Sequence, residues 1–421
     1  MRNSVIVGTV VAALLGIAQS TPAQSQTATS GASDQVSRDV SGNIGPDGQK
    51  PIGGVTAEDV RMLAESFSIS QEDARFVFHE GGGALIEYKK RHQDSQLFGG
   101  VRFRYRPTFE VQLRTTVLSK ELQDDFKASV GRPYRVIVGG LSEKQLYAKQ
   151  MRLSDKLLRK TSKDGKSLTF RFETDFEKGD VSLLLQPDDL LSADLTDIRP
   201  EVNIAADPDP KTSPASYAGA PSGGCTIGYA VSRPNPFGSR DGALVTAGHC
   251  ANTGRVAYGF SLGNAQNETC ATSDRQLHTT PTNFLWNGFF QPNNSWTQIQ
   301  AKAGGWYDGQ PFARTGINTS AYGTIRTPGS VAPIVSGGDC TTPYGVYGFI
   351  LDNYAAYATA KAVGGDSGGP LLLAYFGNWY LAGVTSGQGV PTGISDGVSA
   401  WIDVPAGWTP CTVTTPCGTL F

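Results

Sequence analysis

The sequence predicts a chain in two parts, an α+β first half and an all-β second half. Three observations carry that division. Charge is dense before about residue 210, in runs such as YKKRHQDSQ and SDKLLRKTSKDGKS, and thins out after it. Helix-start signals and amphipathic stretches alternate with strand-like runs only in the first half. The second half is a series of short apolar runs separated by Gly, Pro and Asn, the spacing of a sandwich or barrel. At 421 residues the chain is also too long for one typical core.

Taken in order, MRNSVIVGTVVAALLGIAQSTPAQS opens with a basic residue and runs apolar from about Val5 to Ala18. Small residues follow at Ala18, Ser20 and Ala23. That layout over residues 1–23 is a secretory signal, too short to span a bilayer comfortably. An exported, soluble product with no membrane attachment is therefore expected. The net charge of −2 argues against a nucleic-acid partner. TAEDVRMLAESF predicts a helix with Thr56 as N-cap and Asp59 three residues on, and SQEDARFVF repeats the layout with Ser70 and Asp73. VRFRYRPTFEVQLRTT alternates apolar and charged residues like an antiparallel strand with one wet face. KSLTFRFETD and DVSLLLQPDD add strands. No catalytic cluster stands out here, and His79 and His92 read as surface or packing residues. The junction AADPDPKTSPASYAGAPSGG (205–224) is a Pro/Gly/Ser-rich linker of the kind proteases cut.

After the junction, CTIGYAVS, GALVTAGHC, YGTIRT, GVYGFILD, GPLLLAYF and YLAGVTSG read as strands, with little helix. Six cysteines, at 225, 250, 270, 340, 411 and 417, all lie in this half. An even number in an exported chain points to disulfides, with fifteen possible pairings. No C-x-x-C pair occurs and histidines are scarce, so no metal or other cofactor is expected.

One run carries chemistry. VGGDSGGP (363–370) sets Asp366 and Ser367 among four glycines. A serine in so pliable a bend serves as a nucleophile only with a base, an orienting acid and an oxyanion site. Only His249 and His278 remain as histidines in this half. His249 ends an apolar strand beside Cys250, well placed for general-base work; His278 reads as a loop side chain. TAGHC followed more than a hundred residues later by GDSGGP resembles the chymotrypsin-fold serine proteases. Within them the chain is similar to the bacterial secreted group that includes α-lytic protease and the streptogrisins. The resemblance spans roughly residues 220–405.

It implies two six-stranded antiparallel β-barrels within residues 213–421, and a Ser-His-Asp triad. The acids between His249 and Ser367 are Glu268, Asp274, Asp308, Asp339, Asp352 and Asp366. Asp274, 25 residues after His249 in SDRQL, matches the family's spacing and its Asp-Arg-x-apolar run. A rival placement through QPNNSWTQI would put Asn294 or Ser295 at that position and leave a crippled enzyme. FARTGINTSAYGTI resembles the group's Arg-x-Gly segment, which implies that Arg314 pairs with Asp366. That pair would lock the bend so that the N–H groups of Gly365 and Ser367 form the oxyanion hole.

GVTSGQG resembles the strand that pairs with an extended substrate. It implies a substrate site of Lys361, Ala362 and Val363 on one side and Ser386, Gly387 and Gln388 on the other. Gln388 stands where the family usually has glycine, which would narrow the pocket mouth. With no aspartate at the Lys361 position, small or medium apolar side chains fit better than Lys or Arg. Cys225 and Cys250 match the family bridge beside the histidine, and Cys411 and Cys417 are close enough for a terminal loop. Cys270 and Cys340 are left. The first half, residues 24–212, is expected to be a pro-region that templates and inhibits the protease; protein or peptide substrates are its other partners. The competing expectation is a catalytically silent, protease-like binding protein.

Overall fold

The Thr56 hydroxyl accepts the Asp59 backbone N–H, and the Asp59 carboxylate accepts the Thr56 N–H at 2.8 Å. This capping box starts α1 (Ala57–Phe67) by satisfying donors that the first helical turn leaves orphaned. Burial pushes the Asp59 carboxyl above its ordinary range. The Ser70 hydroxyl caps α2 (Gln71–Phe78) by accepting the Asp73 N–H at 2.9 Å, and α3 (Glu80–His92) follows directly. β1 (Phe98–Arg104) and β2 (Glu110–Thr115) are antiparallel. The single strand expected across this stretch is therefore a hairpin, with Pro107 in its loop; proline has no N–H to give a ladder. α4 (Lys120–Val130) leads to β3 (Tyr134–Val138), which joins β2 in parallel. A second unit contains α5 (Glu143–Leu157), β4 (Phe170–Asp175), β5 (Asp180–Leu185), α6 (Pro187–Ser192) and β6 (Asn203–Ala206). Its sheet order is β4-β5-β6.

This computed structural model describes residues 53–163, 165, 168, 170–206, 225–253, 256–257, 260–269, 274–280, 288–293, 295–334, 344–356, 362, 364–388, 395–402, 404–415 and 417. The signal expected at 1–23 and the junction from residue 207 lie outside them.

The second half continues with β7 (Tyr229–Pro234), β8 (Arg240–Thr246), β9 (Val256–Ala257), β10 (Phe260–Ser261), β11 (Ala265–Thr269) and β12 (Arg275–Thr279). Then come β13 (Gly288–Phe290), β14 (Trp296–Gln298), β15 (Pro311–Thr315), β16 (Ser320–Ile334) and β17 (Tyr344–Ala356). The last strands are β18 (Pro370–Tyr375), β19 (Asn378–Gln388), β20 (Ser395–Trp401) and β21 (Thr409–Pro410). Six of them close on themselves in the order β15-β16-β17-β20-β19-β18. This is one six-stranded barrel of the expected two. Among the described residues the other set is a five-stranded sheet, β11-β12-β8-β7-β21, and it does not close. Val256–Ala257 and Phe260–Ser261 pair with each other. The half is all-β among the described residues, as its sequence pattern predicts.

The helices and sheet before β3 share a core with the second half, while the buried residues between Leu146 and Val202 form a cluster of their own. Phe78, Leu85 and Phe103 from the first half are buried in the same cluster as Tyr307, Tyr322 and Trp379 from the second. The Trp379 ring stands edge-on to Phe78 at 6.3 Å and lies 6.1 Å from Tyr322. Backbone bonds stitch the first half to the β18–β19 turn. The Gly377 N–H donates to Phe78 O at 2.9 Å, the Val55 N–H to Gly377 O at 2.8 Å, and the Phe376 N–H to His79 O at 3.1 Å. Arg326 on β16 pairs with Glu173 on β4 at 2.6 Å. His79 packs beside Gly377, and His92 lies 2.7 Å from Asp125. Trp379→Ala should open a cavity under both halves and destabilise the full chain by about 3–5 kcal/mol, measured by denaturant unfolding; a loss below about 1 kcal/mol would contradict a shared core.

Candidate active site

β8 carries the chain up to a turn that ends at His249, and Cys250 is bonded to Cys225 there. Asp274 stands immediately before β12, the neighbour of β8, so the pairing of the two strands brings it against the histidine. Its φ of +39° is unusual for a residue with a side chain and marks a constrained position. Ser367 precedes β18 on the barrel. All three side chains are fully buried. His249 Nδ1 lies 3.0 and 2.9 Å from the two Asp274 carboxylate oxygens. The His249 backbone N–H also donates to Asp274 at 3.0 Å. On the other side of the ring, Nε2 is 2.8 Å from Ser367 Oγ. The Ser386 hydroxyl, from β19, donates to the Asp274 carboxylate. With Asp274 accepting at Nδ1, Nε2 is the nitrogen left to take a proton from Ser367, the tautomer that general-base chemistry requires.

The acids Glu268 and Asp308 are engaged elsewhere, with Asn252 and Arg102. Ser295, of the rival placement, bonds within its own turn to Gln291 and Asn293; Asn294 and Asp339 lie outside the described residues, as does the Asp352 side chain. His278 is not a loop residue. It is buried on β12 with Nδ1 2.8 Å from Gly263 O.

Asp366 is fully buried between Gly365 and Ser367. One carboxylate oxygen accepts the backbone N–H groups of Asn318 and Thr319, at 2.9 and 3.0 Å. The other accepts the Thr319 hydroxyl and lies 3.5 Å from Arg314 Nη1. Arg314 in turn donates to Thr319 Oγ1 at 3.0 Å. The expected Arg314–Asp366 pair is thus present, and Thr319, a residue that sequence inspection passed over, bridges the same two groups. Gly365 and Gly368 have φ of +101° and +87°, and a Cβ on Gly368 would lie 2.1 Å from Thr246 Oγ1. Only glycine serves at such a position. Among the described residues, the N–H groups of Gly365 and Ser367 donate to no protein acceptor.

Of the expected substrate site, Ala362 is buried, and Ser386 and Gly387 are buried on β19. Gly387 pairs with Val398 and Gln388 with Gly397 on β20. Lys361, Val363 and the Gln388 side chain lie outside the described residues, as do Cys270 and Cys340; Cys411 is bonded to Cys417. Among the described residues no cluster of three His, Cys, Asp or Glu gathers to hold a metal.

No protein-family model matches the chain. Solved structures similar to it include Thermobifida fusca protease A, at 22% identity and TM-score 0.33, covering 49% of this chain and all of that one. Another is the chymotrypsin of Cellulomonas bogoriensis, at 19% identity and TM-score 0.32, covering 48% of this chain and 99% of that one. A third is a Nocardiopsis protease, at 18% and 0.31, covering 45% and 93%. Thr319→Val removes a donor from a fully buried carboxylate and should cost about 1–3 kcal/mol in unfolding free energy. An unchanged denaturation midpoint would show that Arg314 alone suffices.

Proposed function

We propose that the chain is an exported serine endopeptidase, made as a proenzyme and working through an acyl-enzyme. The observation that carries this reading is one imidazole, buried, within 3.0 Å of a carboxylate on one nitrogen and within 2.8 Å of a serine hydroxyl on the other. In the first step Ser367 Oγ attacks the scissile carbonyl while His249 Nε2 takes its proton. Asp274 holds the ring by its Nδ1–H and stabilises the imidazolium that forms. The carbonyl oxygen gathers negative charge, which the Gly365 and Ser367 N–H groups would bind; each such donor contributes roughly 10²–10³ in rate. His249 then returns the proton to the leaving amine, and water enters by the reverse sequence.

The substrate would lie extended along Ser386 to Gln388 of β19, adding as a strand. Lys361, Ala362 and Val363 would bound the pocket for the residue before the scissile bond. Residues 24–212 are proposed as the pro-region. The shared core supports a templating role, since a barrel of non-local pairings folds slowly by itself.

Ser367→Ala should abolish hydrolysis and fluorophosphonate labelling while leaving the unfolding midpoint of the full chain in place. Turnover retained by that variant would refute the mechanism, and a wild-type chain that never labels would favour a silent binding protein. Asp274→Asn should lower kcat about 10⁴-fold, because it presents the wrong tautomer. A pH–rate profile and kcat measured on a chromogenic peptide check this, and a loss under about tenfold would leave Asp274 without its role.

A further inference from the structure

We propose that Thr226 and Asn318 are positioning residues that aim the Gly365 N–H at the developing oxyanion. The inference rests on the serine-protease reading above and adds two residues to it. The peptide unit joining Gly364 to Gly365 carries both the Gly364 carbonyl and the Gly365 N–H. It is trans, because the described residues have one cis bond, at Arg106–Pro107. In a trans unit the carbonyl and the N–H point in opposite directions. The Asn318 side-chain amide donates to Gly364 O at 2.6 Å. A carbonyl can only accept, so it is the Asn318 nitrogen that faces it. With Gly364 O tied to Asn318, the Gly365 N–H faces the other way.

The next peptide unit is held from a different direction. The Thr226 hydroxyl donates to Gly365 O at 2.8 Å. The Ile317 N–H donates to that same hydroxyl oxygen at 2.9 Å, which commits its one hydrogen to Gly365. Thr226 is itself immobile. Its N–H donates to Ser367 O at 2.8 Å, its carbonyl accepts the Thr246 hydroxyl at 2.7 Å, and Cys225 beside it is bonded to Cys250. Both peptide planes that meet at the Gly365 Cα are therefore tied by side chains from separate segments. Gly365 permits this. A Cβ on it would stand 2.5 Å from the Asn318 amide nitrogen, and its φ of +101° suits no other residue. Without the two ties the 364–365 unit is free to turn. That would bring a carbonyl dipole, repulsive to an oxyanion, to where a donor had been.

The test uses the full-length chain and its processed product, with Thr226→Val, Thr226→Ser, Asn318→Leu and Asn318→Ser. The readouts are kcat and KM on a chromogenic peptide, and inhibition constants for a peptide aldehyde and for a non-covalent product peptide. The aldehyde forms a hemiacetal oxyanion on Ser367; the product peptide does not. Thr226→Val and both Asn318 variants should lower kcat by about 10- to 100-fold, within the range for loss of one oxyanion donor. Aldehyde affinity should fall by the same factor, while KM and product affinity hold within about twofold. Thr226→Ser keeps the hydroxyl and should restore kcat.

Unchanged kcat in all variants would overturn the assignment. So would equal weakening of aldehyde and product, which is the mark of general damage. Asn318 is exposed, so its variants decide the matter if Thr226→Val does not fold. Wild-type turnover with unaltered variants refutes only these roles, whereas a wild-type chain without turnover or Ser367 labelling refutes the protease reading itself.

Discussion

A carboxylate withdrawn from water has to be solvated by the protein, and Asp366 is the group on which this architecture turns. Leaving such a charge without partners costs several kcal/mol. Its donors include two backbone N–H groups and a threonine hydroxyl from the turn after β15, and an arginine near the end of that strand. Satisfying the carboxylate therefore dictates where the turn after β15 must sit. A Cβ on Gly316 would lie 2.2 Å from the Asp366 carboxylate, so the turn comes close enough only because that residue is glycine. Once Asp366 is seated, the main chain on either side of it is placed, and Ser367 with it. The peptide units flanking Gly365 are held further by Thr226 and Asn318.

The same logic explains why the first half grips the place it does. Its backbone bonds reach Phe376 and Gly377, the turn between β18 and β19. β18 runs directly from the serine bend, and β19 carries Ser386, which bonds Asp274. Holding that hairpin fixes two of the strands that must register for the site to exist. One of those strands, β18, closes the barrel with a partner far away in sequence, β15, while β19 pairs with the next strand, β20. The entropy of bringing such partners together is spent before their contacts repay it. On the proposed pro-region reading, a preformed surface that seats the hairpin would lower that barrier without touching the triad side chains.

What was legible in the sequence was what local chemistry decides. Thr56 and Ser70 mark helix starts because a hydroxyl three residues ahead of a backbone N–H is the cap. The all-β character of the second half followed from short apolar runs between turn residues. Misread features depended on tertiary context. The run through Pro107 alternates like one strand but folds as two, and His278 sits in a loop-like stretch yet is buried on β12. The five-stranded sheet stays open among the described residues, and nothing in a periodic pattern says whether a sheet closes. Around the site, the motifs singled out His249, Asp274 and Ser367, and both Asp274 and Ser367 lie within hydrogen-bond reach of His249. Thr226, Asn318 and Thr319 were passed over. They act by bonding backbone carbonyls and a carboxylate across the fold, and such bonds leave no spacing to read.

The candidate site is divided between two sheets, and that division sets its tolerance. His249 and Asp274 belong to the five-stranded sheet, Ser367 and Ser386 to the barrel. A displacement of about 1 Å between reacting groups can cost 10²-fold in rate, so side-chain packing alone is too compliant to align the sheets. Backbone contacts therefore reinforce the side-chain bonds His249–Ser367 and Ser386–Asp274 between them. The Thr226 N–H reaches Ser367 O, and a Cβ on Gly228 would stand 2.4 Å from Gly368 O. The glycines around Asp366 and Ser367 let the two main chains come together. The pliability of VGGDSGGP is thus needed to form the bend, and it is removed once the neighbouring strand and turn have closed on it.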